Sequence, residues 1–189
     1  DDYPIHALTQ RPMFMYHSWG SQNAWLRQVM NQNKLFVHRD LAASLNLVDD
    51  DWVWIESPHG RVRGQISLVE GVNPQTVWTW NAIGKRRRTW GLHENAGESN
   101  RGFLLNHAIT ELLPPDAKGR RFSNSDPETR QAAWFDLRIR LVKCAPGEEG
   151  NTAPLEPPAE LPPGLSDGPD KLTYGAEFKP AHKPRERAK

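Results

Sequence analysis

The stretch WVWIESPHGRVRGQISLV, residues 52–69, indicates the fold class of this chain. Both of its halves are rich in β-branched and aromatic residues, and the tetrapeptide SPHG between them has the composition of a tight turn. This pattern predicts a β-hairpin. Outward from the hairpin, strand-like patterns recur in KLFVH (34–38), VNPQTVWTW (72–80) and AAWFDLRIRLVK (132–143). The sequence therefore predicts a mainly β domain.

The last of these segments has the alternation that a half-buried strand requires, because successive side chains of a strand point to opposite faces. The residues expected on the buried face are Phe135, Leu137, Ile139 and Leu141, and those expected on the wet face are Asp136, Arg138 and Arg140.

Two short helices are expected beside the strands. NAWLRQVM (23–30) has apolar residues at helical spacing, with Ser21 or Asn23 as the N-cap. RDLAASLN (39–46) has similar spacing, and Asn46 can adopt the left-handed conformation that ends a helix. Short helices among strands are typical of a small β-barrel with helices packed against it.

The composition bounds the domain organisation and the partners. The chain has 189 residues, and nine of its 16 prolines lie after Cys144. A segment so rich in Pro, Gly and charge buries too little apolar area to offset its ordering entropy. We therefore expect a globular domain at 1–144 and a disordered, proline-rich tail at 145–189. The net charge of +1 argues against a nucleic-acid partner.

Other sequence features exclude several further classes. The chain has no run of about 18 apolar residues, so no membrane span is predicted. Its N-terminal segment lacks the basic and apolar regions of a signal peptide, and the absence of an initiator Met suggests a fragment or a processed chain. The single cysteine, Cys144, can form no internal disulfide.

The common catalytic motifs are missing from the sequence, including G-x-S-x-G, H-E-x-x-H, the Walker loop and G-x-G-x-x-G. The seven histidines do not have the spacing of a metal site. Cys144 follows a strand, where a structural role is favoured over that of a nucleophile. We therefore predict no catalytic residue and no metal ligand in this chain.

The stretch MYHSWGSQNAWLRQ (15–28) concentrates polar and aromatic side chains of the kind that line a ligand site. Arginine can bind a phosphate, and hydroxyl and amide groups can bond phosphate oxygens or the edges of a heterocycle. The stretch can also be an ordinary capped helix entry, and both interpretations can hold at once. We expect Trp25 and the helix that follows to be scaffold. Around this stretch the candidate binding residues are Thr9, Arg11, His17, Ser18, Gln22 and Asn23, while Tyr16 and Trp19 either pack or line the site.

Two further clusters carry polar groups. WNAIGKRRR (80–88) is either a solvated basic loop or an anion-facing loop that turns at Gly84. In ESNRGFLLNHAIT (98–110), Asn106 lies in an apolar run, and a buried asparagine needs hydrogen-bond partners. Both clusters are candidates for a binding site.

The last cluster is FSNSDPETRQAAW (122–134), in which Asn124 and Asp126 form a turn before Gln131. An aspartate in such a turn usually caps its own backbone. Its carboxylate can equally accept the two adjacent N–H donors of a guanine edge. Together the clusters are typical of a binding site for an extended, phosphate-bearing heterocyclic ligand.

These clusters resemble the C-terminal, dinucleotide-binding domain of the dimethyl sulfoxide reductase family of molybdopterin oxidoreductases. Within that family they are most similar to the sulfite dehydrogenase and polysulfide reductase branch of catalytic subunits. The resemblance covers residues 5–143. Its five matching stretches, in order, are LTQRPMFMYHSWGSQNAWLRQ, LAASLNLVDDDWVWIESPHGRV, GVNPQTVWTWNAIGKR, GFLLNHAITELLP and SNSDPETRQAAWFDLRIR.

The resemblance implies a double-psi β-barrel that binds bis(molybdopterin guanine dinucleotide). Thr9 and Arg11 would then lie at the pterin end of the cofactor. The residues that would contact pterin or phosphate are His17, Ser18, Gln22 and Asn23. The residues that would complete the site are Asn106, Asn124, Asp126 and Gln131.

The resemblance also implies what the chain does not contain. In this family the molybdenum ligand and the cysteines of a 4Fe-4S cluster come from other domains. The implied partners are the remainder of the large subunit, an iron–sulfur electron-transfer subunit and a membrane anchor subunit. The implied location is the cytoplasm, at the membrane through those partners, with the periplasm as the alternative.

Three positions depart from the family pattern. Asn46 stands where the family usually has Gly, and asparagine tolerates a positive φ. Residues 49–51 read Asp-Asp-Asp in place of Asp-Gly-Asp, and a non-glycine residue in a left-handed turn costs roughly 1 kcal/mol. Arg130 stands where the family has Gly before Gln131.

Two functions therefore follow from the sequence. The first is the C-terminal cofactor-binding domain of a molybdenum oxidoreductase that acts on a sulfur oxyanion such as sulfite. The alternative is a stand-alone β-barrel that serves as a binding or assembly module without catalytic activity.

Overall fold

β3 (Trp52–Ser57) and β4 (Gly60–Val69) form the predicted hairpin, paired from Trp52 with Gln65 to Ser57 with Gly60. The structure is a computed structural model, and it describes residues 2–21, 23–84, 101–109, 113, 115–120, 122–126, 128–129, 131–132, 137–150 and 152. The remaining elements are β1 (Ile5–Gln10), α1 (Ala24–Val29), β2 (Leu35–His38), α2 (Arg39–Ser44), β5 (Thr76–Trp80), β6 (Arg138–Lys143) and 3₁₀-helices at His17–Gly20 and Leu105–Ala108.

The six strands close into a barrel in the order β1-β5-β2-β4-β3-β6. The pairs β1–β5 and β2–β4 are parallel, and the other four pairs are antiparallel. The barrel closes where β1 pairs with β6. The prediction of a mainly β, double-psi type of barrel with short helices is thereby confirmed.

The barrel interior is filled by the side chains that point inward from each strand. Strand alternation places one residue in two on this face, as in β4, where positions 60, 62, 64 and 66 are buried. The predicted inward residues of β6 that the structure describes are buried, whereas Arg138 and Arg140 are exposed. Phe135 and Asp136 lie outside the described residues. The fully buried members of the core include Leu35, Val37, Val53, Ile55, Val62, Ile66, Val77 and Ile139.

The ends of the helices follow the sequence signals. Asn23 is the N-cap of α1, since its Oδ1 accepts a hydrogen bond from the backbone N–H of Trp25 at 2.9 Å. α2 ends at Ser44, and Asn46, the second residue after it, is left-handed, with φ of 54°. Asp50 is also left-handed, with φ of 69°, as the replacement of the family's glycine implied. Both asparagine predictions are confirmed.

The outer face of β3 is covered as well as its inner face. Arg61 and Arg63 place their guanidinium groups 4.4 and 4.6 Å from the centroid of the Trp54 ring. Glu56, on the same face, accepts hydrogen bonds from Arg61 at 3.2 Å and from Arg140 at 2.8 Å. The hairpin therefore contributes to two packed layers.

The first residues after Cys144 lie against this outer face. Glu148 Oε2 accepts hydrogen bonds from Trp54 Nε1 at 3.1 Å and from the Ala145 N–H at 2.8 Å, and Arg63 donates to the Glu148 carbonyl at 2.9 Å. The division of the chain at residue 144, with a disordered tail after it, stays a prediction, because residues 153–189 lie outside those described. In the described part, no helix has the length and apolar character needed to cross a membrane.

The expectation that Trp25 serves as scaffold is wrong. Trp25 is 77% exposed, and Val29 on the same helix is 67% exposed. α1 has only six residues, so it turns one narrow side to the barrel, where Leu26 is half-buried and the following Met30 is buried.

Candidate functional site

Three loops meet at one end of the barrel because of the strand directions. β1 and β5 are parallel and finish side by side, with Gln10 paired to Trp80. β2 is antiparallel to β5 and begins at the same edge, where Leu35 pairs with Thr79. We call this end the loop end, and it comprises residues 11–21, 23, 30–34 and 81–84.

Asn33 connects two of these loops. It is 2% exposed, and its Nδ2 donates hydrogen bonds to the carbonyls of Trp80 at 2.7 Å and Ile83 at 3.3 Å. Its Oδ1 accepts from the Trp80 N–H at 3.3 Å and lies 3.1 Å from Thr79 Oγ1. Its backbone N–H donates to the Arg101 carbonyl at 2.8 Å. One buried amide therefore fixes the chain at the end of β5.

A second apolar cluster supports the loop that follows β1. It is separate from the barrel core, and its buried members are Met15, Met30, Ala82 and Ile83, with Phe14, Leu26 and Trp80 packed against them. This cluster joins the segment around α1 to the loop after β5. The described polar residues of 11–21 and Asn23 thus lie on an apolar cluster.

The first two predicted site residues lie where β1 ends. Thr9 belongs to β1 and pairs with Thr79, and its Oγ1 is buried with no hydrogen-bond partner among the described residues. Arg11 follows β1 and is exposed. A buried hydroxyl without a partner is uncommon, because its desolvation is not compensated. Thr9 therefore has a hydrogen-bonding capacity that a ligand could use.

His17 lies beside Asn81 at the loop end. His17 Nδ1 is 3.1 Å from Asn81 Nδ2, and the backbone of His17 is left-handed, with φ of 50°. A non-glycine residue in this conformation costs of order 1 kcal/mol. Asn81 Oδ1 is buried and has no hydrogen-bond partner among the described residues. The pair thus combines a strained backbone with an unsatisfied amide, which is typical of a functional site.

The residues after His17 form the short 3₁₀-helix and its exit. Ser18 is half-buried, and its carbonyl accepts a hydrogen bond from Ser21 Oγ at 2.7 Å. Tyr16 and Trp19 are 70% and 64% exposed, so they do not pack into the core of this chain. Asn23 uses its side-chain oxygen as the helix cap, which leaves its Nδ2 as the group for a ligand. Gln22 lies outside the described residues.

The expectation that Asn106 is buried in its apolar run is wrong. Asn106 is exposed, whereas Leu105 and Ala108 are buried. The run forms a 3₁₀-helix, in which residues three apart share a face, so Leu105 and Ala108 turn inward together and Asn106 turns outward.

This 3₁₀-helix nevertheless lies at the same end of the barrel as the loop after β5. A Cβ placed on Gly84 would meet the Phe103 carbonyl at 2.4 Å, and one on Gly64 would meet the Phe103 ring at 2.6 Å. A Cβ on Gly60 would meet the His107 carbonyl at 2.5 Å. Residues 102–108 therefore lie directly against the loop end and the start of β4.

The turn that carries Asp126 is built as the sequence suggested. Asp126 Oδ1 accepts hydrogen bonds from the N–H groups of Glu128 and Thr129, at 3.0 and 2.6 Å, and from Thr129 Oγ1 at 2.9 Å. The hydrogen bonds from Thr129 hold the pKa of the Asp126 carboxyl below its ordinary value, so it is ionised at neutral pH. These bonds leave Oδ2 as an acceptor for another group.

The neighbours of Asp126 are partly exposed. Asn124 is half-buried, and Gln131 is exposed and accepts the Asp126 N–H on its carbonyl at 2.7 Å. β6 runs antiparallel to β1, and the Leu137 carbonyl accepts from the Ala7 N–H, so the chain enters β6 from the loop end. The placement of Asn124, Asp126 and Gln131 around a cofactor stays a prediction. Arg130 lies outside the described residues.

The remaining groups to consider among the described residues are the Cys144 thiol, as a possible nucleophile, and the side chains that could bind a metal ion. Burial raises the pKa of the Cys144 thiol to about 11, so this thiol is protonated at neutral pH and weakly nucleophilic. Among the described residues, His, Cys, Asp and Glu side chains form no group of three or more that could hold a metal ion.

Asn33 and Asn81 were not among the residues predicted from the sequence. Asn81 lies in the WNAIGKRRR cluster but was not selected from it. The signal that could have identified Asn81 was its position directly after a strand, because adjacent parallel strands bring the residues that follow them to one edge of the sheet. Asn33 has no local signal, since its partners Trp80, Ile83 and Arg101 are distant in the sequence.

Residues 5–124 match the family model described as "Molydopterin dinucleotide binding domain". The chain belongs to this family. It is 55% identical, over 86% of its length, to a sulfite dehydrogenase subunit from Allochromatium vinosum. It is 31% identical, over 77% of its length, to the dopamine dehydroxylase of Eggerthella lenta. The chain spans 17% and 13% of the lengths of these two curated relatives.

A solved structure shares the fold. The acetylene hydratase from Pelobacter acetylenicus matches with a TM-score of 0.54 and 21% identity, over 75% of this chain and 18% of that one. The resemblance to the dimethyl sulfoxide reductase family is confirmed. The domain accordingly binds a molybdopterin dinucleotide.

The residues at the loop end fit this cofactor chemically. Thr9 Oγ1 and the Asn81 amide need hydrogen-bond partners, and the rings of a pterin and a purine carry N–H donors and nitrogen or oxygen acceptors at their edges. Arg11 offers an exposed guanidinium to the phosphates. The individual contacts of the ten predicted residues stay predictions.

Proposed function

We propose that this chain is the C-terminal domain of the large subunit of a molybdenum oxidoreductase that acts on a sulfur oxyanion such as sulfite. The observation that carries the proposal is the 55% identity, over 86% of the chain, to a sulfite dehydrogenase subunit. The cofactor in this proposal is bis(molybdopterin guanine dinucleotide). When bound, it supplies the redox chemistry of molybdenum, and the chain supplies binding and orientation.

The chain's own residues would hold the cofactor in the following way. At the end of β1, the Thr9 hydroxyl and the Arg11 guanidinium would bind the pterin and phosphate part of the cofactor. His17 and Ser18, which also belong to the loop end, would contact the same region of the cofactor. The ionised Asp126 has Oδ2 available for the donors of the guanine edge, because its turn is held by Oδ1.

In this proposal, other domains of the large subunit supply the molybdenum ligand and the cysteines of a 4Fe-4S cluster. An iron–sulfur electron-transfer subunit and a membrane anchor subunit complete the assembly, which we place in the cytoplasm at the membrane or, as the alternative, in the periplasm. The short share of the curated relatives that the chain covers supports a larger polypeptide.

The substrate is tested on the full-length subunit that carries this domain. We expect sulfite to reduce an artificial electron acceptor in its presence, with sulfate as the product measured by ion chromatography. A purified subunit that contains molybdenum and guanine nucleotide but does not turn over sulfite would contradict the substrate and leave the cofactor assignment intact.

The cofactor contacts are tested with Arg11→Ala in the same subunit. We expect less molybdenum per subunit, measured by mass spectrometry of the metal, because a guanidinium contact to phosphate is lost. The matched control is Arg39→Ala, since Arg39 is exposed, pairs with Glu70 and follows the opposite end of β2. Equal molybdenum in the two variants would show that Arg11 does not hold the cofactor.

A further inference from the structure

We infer that Asn81 is an additional cofactor-binding residue, which contacts the molybdopterin dinucleotide through its buried amide and fixes the tautomer of His17. The inference rests on the proposed site at the loop end. It adds a residue to that site and assigns a role to the pair that Asn81 forms with His17.

The first observation is the distribution of unsatisfied polar atoms. In the part of the chain that the structure describes, three buried side-chain nitrogen or oxygen atoms lack a hydrogen-bond partner: Thr9 Oγ1, Asn81 Oδ1 and Arg63 Nε. Thr9 is in β1 and Asn81 directly follows β5, the neighbouring parallel strand. Two of the three atoms are therefore at the loop end, where one ligand can satisfy both.

The second observation is that the backbone around Asn81 is fixed from both sides. The Asn81 N–H donates to the Gln10 carbonyl at 3.0 Å. Asn33 binds the N–H and carbonyl of Trp80 and the carbonyl of Ile83. A rigid backbone beneath a side chain with unsatisfied atoms is the arrangement of a preorganised binding group, because the supporting contacts fix its direction before the ligand arrives.

The third observation concerns the contact with His17. An amide nitrogen only donates, so with Nδ2 at 3.1 Å the neutral ring accepts on Nδ1 and carries its proton on Nε2. His17 then presents an N–H donor on its far side, which suits a phosphate oxygen or a ring acceptor. If the amide is rotated by half a turn, Nδ1 donates to Oδ1 and the unpartnered buried atom becomes Nδ2. In either orientation Asn81 sets the tautomer of His17 and retains one group for the cofactor.

Asn33 is a positioning residue in this arrangement. Its four side-chain hydrogen bonds hold residues 79–83, and none of its side-chain atoms is left for a ligand. Asn81 would therefore contact the cofactor, and Asn33 holds the backbone that carries Asn81.

The experiment compares Asn81→Ala with Asn73→Ala in the purified full-length subunit. Asn73 is an exposed asparagine in the turn before β5, at the other end of that strand. The readouts are molybdenum per subunit, guanine nucleotide released by acid, the half-time of molybdenum loss in mild denaturant, and the melting temperature.

We expect Asn81→Ala to lose molybdenum about five to thirty times faster than the wild type, as expected when one or two hydrogen bonds to the ligand disappear. Asn73→Ala should keep the wild-type half-time. Wild-type retention in Asn81→Ala would overturn the inference. A wild-type subunit without molybdenum or guanine nucleotide would instead overturn the proposed function.

Three further variants test the role of the pair: Asn81→Asp, His17→Ala and the double variant of Asn81→Ala with His17→Ala. If Asn81→Ala does not fold, Asn81→Asp keeps the shape of the side chain, and we expect faster molybdenum loss because a carboxylate brings negative charge toward a phosphate-bearing cofactor. With His17→Ala added to Asn81→Ala, the combined effect should be smaller than the product of the single effects, because both remove one contact. Wild-type retention in Asn81→Asp, or fully multiplicative effects, would overturn the assignment.

Discussion

The tryptophans of the barrel wall and those of the segment around α1 have opposite environments. Trp54 is 5% exposed, with two guanidinium groups near its ring and its Nε1 hydrogen-bonded to Glu148. Trp19 and Trp25 are 64% and 77% exposed. The barrel wall thus covers its aromatic side chains with its own residues, whereas the segment around α1 presents large apolar groups at its surface.

The same contrast holds for polar groups. Glu56 on the barrel wall accepts hydrogen bonds from two arginines, while Thr9 Oγ1 and Asn81 Oδ1 at the loop end have no partner among the described residues. Exposed apolar patches and unsatisfied buried groups are both features of surfaces that meet something outside the chain. Arg63 Nε is the one buried atom of the barrel wall among the described residues that also lacks a partner, whereas the loop end has two such atoms on neighbouring strands.

The largest expected difference between the two regions is in stability. Leu35→Ala should lower the free energy of unfolding by about 2–5 kcal/mol, because Leu35 is fully buried in the barrel core. Trp25→Ala should change it by less than about 0.5 kcal/mol, since the side chain is mostly exposed. Urea denaturation of the 189-residue chain measures both, and similar losses would contradict the distinction.

A substitution at the loop end should show that its base is nevertheless well packed. Gly84 has φ of 152°, and a Cβ there would lie 2.4 Å from the Phe103 carbonyl. Gly84→Ala should therefore cost about 1–3 kcal/mol through strain and overpacking. Gly71→Ala is the control, because a Cβ there meets no atom within 4 Å. If the two variants unfold at the same urea concentration, Gly84 is not constrained as described.

The comparison of tryptophans can be made more specific by a smaller change. Trp54→Phe removes the hydrogen bond to Glu148 and weakens the interaction with Arg61 and Arg63, at a cost of about 1–2 kcal/mol. Trp25→Phe should be nearly neutral, within about 0.5 kcal/mol, since the Trp25 ring is mostly exposed. Thermal unfolding followed by circular dichroism distinguishes these results. A neutral effect of Trp54→Phe would show that the contact of residues 145–150 with the barrel does not stabilise the fold.

The smallest effect concerns pH. Burial of Asp51 opposes its ionisation, but the hydrogen bonds from Lys143 and the Val48 N–H, with the charge of Lys143, hold its pKa below the ordinary value of 3.8. A depressed pKa in the folded state stabilises the fold above 3.8, and this contribution is lost as the pH falls through the folded value. Urea midpoints between pH 6 and 3 should fall less steeply for Asp51→Asn than for the wild type. Identical slopes would show that the Lys143 contact adds nothing.

The barrel was largely predictable from the sequence, because strands have a two-residue period that shows in segments such as that of β6. The left-handed turns at Asn46 and Asp50 were also predictable, since only a few residue types tolerate that conformation. The environment of Asn106 was not, because an apolar run gives no sign that it will wind as a 3₁₀-helix. The exposure of Trp25 depends on how little of a six-residue helix can contact the barrel.

The candidate site was predictable as a region and less so as a set of contacts. The polar character of MYHSWGSQN predicted a binding region, which lies at the loop end, and the family match confirms the class of cofactor that the domain binds. The roles of Asn33 and Asn81 arise from hydrogen bonds between residues 10, 33, 80 and 83, which come together only when the barrel forms. No local pattern reports contacts of that kind.

The pairing of β1 with β6 has a consequence for the order of events during synthesis. Ile5 pairs with Ile139, so the first strand of this barrel to leave the ribosome has its last partner only when the last strand of the barrel emerges. Until then one edge of β1 is open to other chains, and closure through such distant contacts is slow relative to local folding. The loop end, which follows β1, is therefore completed only after β6 has been synthesised.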